Sequence, residues 1–589
     1  MQHPGTRGRA DIRYQPDEKP PLMLTAGLGL QLAILCISGI VLTPAIVIRA
    51  AGGSEGFLSW AVFAAVAISG LTTVLQAVRL GRFGTGHVLL MGTSGAFIAV
   101  CVTALVQGGP AMLATLVLAS SFFQFILSSR LALLRRILTP AVAGTVIMLI
   151  PVTVMPIIFD MLDDVPKGFP VSAAPLSALV TVAGILCIAL KATGSLRLWA
   201  PVIGVVVGSV VAGGFGLYDT GLVASSAWVG LPHGDWPGLD LGFGATFWAL
   251  LPAFVFVTLV GAIETIGDGV AIQRVSWRGA RAVDFRVVEG AVAADGVGNL
   301  LSGLAGTVPN TTYSTSIAVT ELTGVGSRNV GVAIGIIFMF LAFLPKALAL
   351  ILAIPAPVVA AYATVLLALL FVVGMKVVLQ EEIDYRTGLI VGVSFWAGVG
   401  FQNGVIFPEY FGGFASGLLQ NGMTAGGLVA ILMTVFVELT APRPSRIEVE
   451  FGVEALPKIR EFLAGFASRG GWNKATADRL DAVAEETLLT LMGQDVAGEG
   501  RRRRLRLTAR KESGGALLEF VAAVETENIE DSMALLGTGP VEAPDEHEIS
   551  LRLLRHLASR VHHQQYHGTD IVTVHVDAVE TGNPRSNDS

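Results

Sequence analysis

Charge is scarce in this chain. Asp, Glu, Lys and Arg supply 14% of its 589 residues against 53% hydrophobic ones, and the mean hydropathy is +0.67. So few charges cannot clothe so much apolar surface in water. This argues against a globular enzyme and for a polytopic membrane protein with a soluble appendix. The net charge of −6 is small for this length, so nothing attracts a polyanion and nucleic acid is not an expected partner. Cysteine is rare too: Cys36, Cys101 and Cys187 all lie in apolar runs, which argues against a disulfide framework or a thiolate metal centre. The polar arm 1–21 carries Arg7, Arg9, Arg13 and Lys19, and no small-residue cleavage site follows the first apolar run. That run reads as an anchor and not as a removable signal.

What is present is a long series of apolar spans. A bilayer core needs about 20 apolar residues per helix, and that ruler yields about fourteen candidates. They lie near 22–48, 57–78, 87–106, 111–130, 138–160, 172–190, 198–216, 244–270, 287–305, 311–324, 329–353, 357–378, 387–407 and 412–440. Basic residues fall in alternate loops with the N-terminal arm: Arg79 and Arg82; Arg130, Arg135 and Arg136; Lys191 and Arg197; Arg274, Arg278, Arg281 and Arg286. The intervening loop 218–241 has none, so both termini are expected inside.

Two spans are broken by polar and small residues. The third contains Gly92, Thr93, Ser94 and Gly95. The tenth opens within the segment Asp295 to Arg328, reading DGVGNLLSGLAGTVPNTTYSTSIAVTELTGVGSR. Backbone that leaves the helix at membrane depth is tolerated only where protein buries it or where it lines a cavity. The breaks occupy the third place of each seven-span half, and an odd number of spans per half implies inverted repeats. Matched breaks of this kind point to a transporter's midplane site.

Glu264 lies deep in the eighth span, with Asp268 one turn later on the same face. A carboxylate at that depth needs water, a partner or a substrate. It reads either as a ligand for a proton or substrate, or as a packing residue bonded to its neighbours; a Na⁺ ligand is a further option. Gly92 to Phe97 and Asn310 to Ser316 would supply backbone groups, and Thr311, Thr312, Ser314, Thr315 and Ser316 hydroxyls, for the other half of a site. The alternative is a small-residue helix contact. Asp295 could bind a coupling ion or hold a structural hydrogen bond, and Glu321 sits where it could reach water.

The run GNLLSGLAGTVPNTTYS followed by LTGVGSR resembles the signature region of the nucleobase–ascorbate transporter (nucleobase:cation symporter) family, which includes uracil and xanthine permeases. LQLAILCISGIVLTP, LQAVRLGRFGTGHVLLMGTSGAF and AIETIGDGVAI extend the likeness across Leu22 to about Pro442. The resemblance implies an all-α polytopic fold of fourteen helices in a 7+7 inverted repeat. Spans one to four and eight to eleven would form a core, and five to seven and twelve to fourteen a gate. It further implies a homodimer in a bacterial inner membrane that moves a nucleobase by an elevator-like shift, with a proton or, less in keeping, sodium as the coupling ion and no cofactor. Substrate contacts would fall on Glu264, Gly95, Ser314, Thr315 and Ser316, with Asp268, Asp295 and Asn310 supporting them. The chain departs from the family pattern at Thr315, Ser316 and Ala318, where Gln or Glu, Asn and Gly are usual, and at Leu32, where a histidine is common.

Past Pro442 the sequence turns charged and soluble. Domains are therefore expected at 22–442 (membrane) and 446–578 (cytoplasmic α+β), followed by a disordered end at 579–589. Strands are expected at 446–453, 503–508, 517–524 and 570–577, and helices at 455–469, 474–492 and 547–562. Arg501 to Arg504 reads as a solvated strand edge or a contact with anionic lipid. The histidines at 556, 562, 563 and 567 match no metal spacing. RLDAVAEETLLTLM weakly resembles the central helix of the ATP-binding fold of anti-sigma-factor and histidine kinases, with Glu485 at the family's acid. Leu489 stands in place of its magnesium-binding Asn, however, and no Asp-x-Gly-x-Gly follows. A degenerate regulatory or partner-binding module is expected. That leaves a sensor, in which a transporter-like core reports to this tail, as the alternative to a transporter.

Overall fold

The computed structural model describes residues 12–578 apart from 132–138, 167, 233, 280, 380–383, 411–418, 420, 441–443, 494–502, 513, 523–527, 536–545 and 568. The arginines at 7, 9, 135, 136, 501 and 502, and the end at 579–589, lie outside the described residues. The chain divides into two compact units: Ala10–Arg278 with Val287–Leu439, and Thr440–Ser589 with the loop Gly279–Arg286.

The first unit is helical because its apolar runs have no other way to satisfy backbone polar groups in hydrocarbon. Its elements are α1 Leu22–Ala50, α2 Glu55–Val78, β1 Leu90–Thr93, α3 Ile98–Ser129, α4 Pro140–Asp160, α5 Ala173–Lys191, α6 Ala200–Gly214, α7 Ala245–Ser276 and α8 Phe285–Ala305. They continue with β2 Asn310–Tyr313, α9 Thr315–Thr323, α10 Arg328–Ala342, α11 Pro345–Leu352, α12 Ala356–Val378, α13 Tyr385–Gln402 and α14 Gly422–Thr440. Among the described residues eight helices are long and apolar enough to cross a membrane, and α10 with α11, bent by 87°, forms a broken span or a re-entrant loop. The chain is a multi-pass membrane protein. The third and fourth expected spans follow one another along α3 as two helical segments, separated by a non-helical break at Gly109 (φ 78°) just before Pro110. Only glycine adopts that backbone freely, and proline then restarts a helix without needing an N–H partner.

Small residues set close helix contacts. A Cβ on Gly70 of α2 would lie 2.6 Å from the Gly335 carbonyl of α10, and one on Gly335 would lie 2.5 Å from that of Gly70. Backbones that approach this closely gain dispersion contact in the absence of a hydrophobic drive between helices.

The second unit is an α+β domain. Its elements are β3 Ser445–Glu450, α15 Leu456–Gly470, α16 Lys474–Gly493, β4 Arg504–Glu512, β5 Gly515–Ala522, α17 Ile529–Leu535, α18 Glu546–Leu557, β6 Arg560–Tyr566 and β7 Thr569–Asp577. The sheet is antiparallel throughout, in the order β3-β4-β5-β7-β6. Alternate residues Leu505, Leu507, Leu518, Phe520, Val572 and Val574 are buried against Ile459, Leu463, Leu480 and Leu488 of α15 and α16, the period of two that a half-covered sheet demands. The expected helix 547–562 stops at Leu557, and 560–566 forms a strand instead. Its sequence, RVHHQQY, has few strand formers, and its pairing with β7 decides its state. Glu485 lies 3.2 Å from Arg460, which also pairs with Asp481 at 2.7 Å.

Candidate functional site

At both breaks the helix gives way to a strand. Thr and Tyr favour extended backbone over helix, and Pro309 denies a helix its N–H just before β2. β1 and β2 pair antiparallel, with Leu90 opposite Tyr313 and Thr93 opposite Asn310, so the two interrupted segments satisfy one another's backbone groups away from lipid. The ribbon's packing is close. A Cβ on Gly92 would come within 2.5 Å of the Tyr313 ring, whose hydroxyl donates to the Thr93 carbonyl at 2.9 Å.

α7 lies against this ribbon. Thr312 Oγ1 donates to Asp268 Oδ2 at 2.8 Å and lies 3.4 Å from Thr265 Oγ1, which is itself 3.5 Å from Thr311 Oγ1. One turn earlier, Gly261 faces the Phe97 ring at the start of α3. Glu264 sits between these contacts and within electrostatic range of Tyr313, Asp268 and Asp295. It is half-buried, and no hydrogen bond from a described residue reaches its carboxylate.

The other expected residues divide by environment. Gly95 is partly open, and a Cβ built on it meets nothing within 4 Å. Beside it the buried Ser94 hydroxyl has no partner among the described residues. Ser314 is exposed; Thr315 is half-buried and in hydrogen-bonding reach of Cys36. Ser316 is different. Its buried Oγ donates to the Tyr313 carbonyl at 3.0 Å and accepts from the Leu90 N–H at 3.2 Å, fastening the two strands. Asp268 and Asp295 are both buried and engaged in hydrogen bonds.

Sequence reasoning missed a buried polar relay. Gln124 of α3 donates to Asp295 Oδ2 at 2.5 Å and accepts from Asn299 Nδ2 at 2.6 Å. Asn299 Oδ1 accepts from the Asn310 N–H at 2.6 Å, and Asn310 Nδ2 reaches Ser69 Oγ at 3.3 Å. Thr265 also donates to Asp295 Oδ2, at 2.9 Å. The chain of bonds thus runs from the residue after Glu264 to the first residue of β2. A lone glutamine in the apolar run SSFFQFILSS was the available signal.

Two cavities approach the broken spans from their helical ends. One, of 440 Å³, is lined by Ala99, Thr103, Gln107, Phe254, Gln402 and Asn421. The other, of 930 Å³, is lined by Arg13, Leu28, Arg197, Ala318, the exposed Glu321 and Thr323. Among the described residues no cluster of His, Cys, Asp and Glu has the arrangement of a metal site.

Residues 24–405 match the model of the permease family Xan_ur_permease. A putative purine permease of Clostridium perfringens is 30% identical over 458 residues, covering 75% of this chain and 95% of that protein. The xanthine permease XanP of Escherichia coli K12 is 27% identical over 449 residues (72% and 94%). The uric acid permease PucK of Bacillus subtilis is 27% identical over 441 residues (72% and 97%). With the family model spanning most of the chain and both broken spans, this protein belongs to the Xan_ur_permease permease family.

Proposed function

We propose that this chain imports a uracil- or xanthine-like nucleobase across a bacterial inner membrane by proton symport. The observation that carries the reading is Glu264: a half-buried carboxylate without a hydrogen-bonding partner among the described residues, beside two strand-broken spans. In a membrane interior such a group is costly unless a ligand or water completes it. A base ring offers N–H donors to the carboxylate. The open backbone at Gly95 with the Ser94 hydroxyl, and the Ser314 and Thr315 hydroxyls, offer further donors and acceptors to its edges. The starts of the two half-helices lie at opposite ends of a four-residue ribbon, roughly 10–15 Å apart at about 3.3 Å per residue. One flat ring bonded at both edges bridges that distance.

In this reading Asp268, Asp295 and Asn310 hold α7 and β2 in place, and Ser316 locks the strands together. Glu264 takes up the coupled proton or the base's N–H, and the ribbon with α7 moves as part of a core against a gate. The two cavities serve as approaches from either side. The fourteen-helix inverted repeat, the homodimer and the inside location of both termini belong to the same proposal, and the chain has no catalytic role in it. Glu264→Gln keeps the shape but loses the charge and the proton site. It is expected to abolish accumulation of labelled base in proteoliposomes while the protein still inserts and folds; normal accumulation by the variant rejects the role.

The separately folded tail favours one second reading, a sensor built on a transporter core. Deleting 446–589 separates the two: transport that survives makes the tail accessory, whereas binding without transport in both forms favours the sensor.

A further inference from the structure

One face of the tail is occupied by a segment from far upstream in the chain. The loop Gly279–Arg286, between α7 and α8, belongs to the same compact unit as Thr440–Ser589. Within that unit Asp531 Oδ1, in the first turn of α17, accepts the Ala282 N–H at 2.5 Å. Burial pushes the Asp531 carboxyl up from its ordinary value, and the Ala282 N–H and the nearby Arg281 pull it the other way. The Phe285 ring packs on Tyr566 of β6 with centroids 5.1 Å apart, leaving Tyr566 buried.

The surface that holds the loop is itself braced. Glu530 Oε1 accepts the His563 N–H at 2.7 Å and lies 2.9 Å from His562 Nδ1. The Ile529 N–H donates to His563 Nδ1 at 3.0 Å, and Asn528 Nδ2 donates to the His563 carbonyl at 3.1 Å. Four consecutive residues, Asn528 to Asp531, are thereby fixed on β6 and the loop. A carboxylate, a ring and a rigid backing make a surface that recognises one particular turn of chain.

We propose that α17 and β6 form a clasp on 281–286 through which the tail brakes transport. The loop continues directly into α7, which carries Glu264, and α8, which carries Asp295. The tail's other attachment is covalent, through the chain that follows α14. This inference rests on the transport reading above, in which α7 and α8 belong to the core and α14 to the gate. A tail joined to the gate by its chain and to the core by the clasp ties together two bodies that must slide past each other. A charge-assisted hydrogen bond and a ring contact are among the contacts of this tie, and its release would free the two bodies, as a regulatory restraint requires.

The test uses the full-length protein in proteoliposomes with Ala282→Cys, Asp531→Cys and Cys187→Ser, two facing half-buried positions joined by a short, thiol-cleavable bis-maleimide; Cys36 and Cys101 are buried. The pair is expected to join in most molecules, to lower initial uptake of labelled base about tenfold with binding affinity within about twofold, and to regain the rate on cleavage. Recovery on cleavage excludes misfolding as the cause. Joining in only a minority of molecules, or an unchanged rate in joined protein, overturns the clasp. If the unmodified protein neither binds nor carries any base, the transport reading falls by that result alone. The yield of joining then judges the clasp, with a majority upholding it and a minority rejecting it.

Discussion

Gln124 Nε2 donates to Asp295 Oδ2 at 2.5 Å, and through its own Oε1 Gln124 holds Asn299, which in turn holds the backbone of Asn310. One amide on α3 therefore clamps two residues of α8, Asp295 and Asn299, and Asn299 in turn holds the start of β2. Both partners are buried, so removing a member leaves polar groups that are costly to leave unsatisfied.

Gln124→Ala leaves Asp295 and Asn299 each short of a partner. The expected cost is about 1–3 kcal/mol of stability, measured as a lowered melting temperature in detergent. Base affinity should fall as well, because Asn299, which anchors β2, loses its brace. Gln124→Glu should fall short of wild type even though its shape is kept, since a carboxylate cannot donate to Asp295 unless protonated.

Gly92→Ala places a methyl group 2.5 Å from the Tyr313 ring. Overpacking of this kind costs about 1–3 kcal/mol, and here it also displaces the residue just before Ser314 and Thr315. Uptake should fall sharply. Adding Tyr313→Ala should recover stability while transport stays low, a non-additive pair that a double-mutant cycle reads directly.

The family resemblance would place Thr315 where an amide or carboxylate is usual. Thr315→Gln restores two hydrogen-bonding groups at the ribbon's end. A gain of about 1.4 kcal/mol corresponds to tenfold tighter binding, and the rank order of uracil, xanthine, urate and hypoxanthine in a thermal-shift screen should change with it. An unchanged order would place Thr315 away from the ligand.

Proton coupling predicts that an inward pH gradient drives accumulation in sodium-free proteoliposomes and that a protonophore collapses it. Accumulation that follows a sodium gradient alone would replace the proton with sodium as the coupling ion.

The two broken spans could be read in the sequence because glycines at 92 and 95 and the run Asn310 to Thr315 interrupt otherwise apolar stretches, and lipid tolerates such breaks only under strict conditions. Glu264 was legible for the same reason. What stayed hidden was pairing. Nothing local says that Gln124 meets Asp295 and Asn299, since the contacts join residues more than 170 positions apart. Nor does the local sequence say that Ser316, one residue past Thr315, turns inward to fasten Leu90 while Ser314 stays open. In the tail, the expected helix 547–562 runs into 560–562 and no strand is expected at 560–566, because these residues have weak preferences and the partner strand determines their form. The loop 281–286, read as a basic cytoplasmic connection, carried no sign that Phe285 and Ala282 meet the tail.

The central claim is that the unpartnered carboxylate of Glu264 is completed by a nucleobase. Equilibrium binding of labelled xanthine and uracil to the purified wild type and to Glu264→Gln tests it most directly. Saturable binding of one base by the wild type, weakened at least about a hundredfold (about 2.7 kcal/mol) in the variant at equal fold stability, is the predicted result. Equal affinity in both proteins would contradict it.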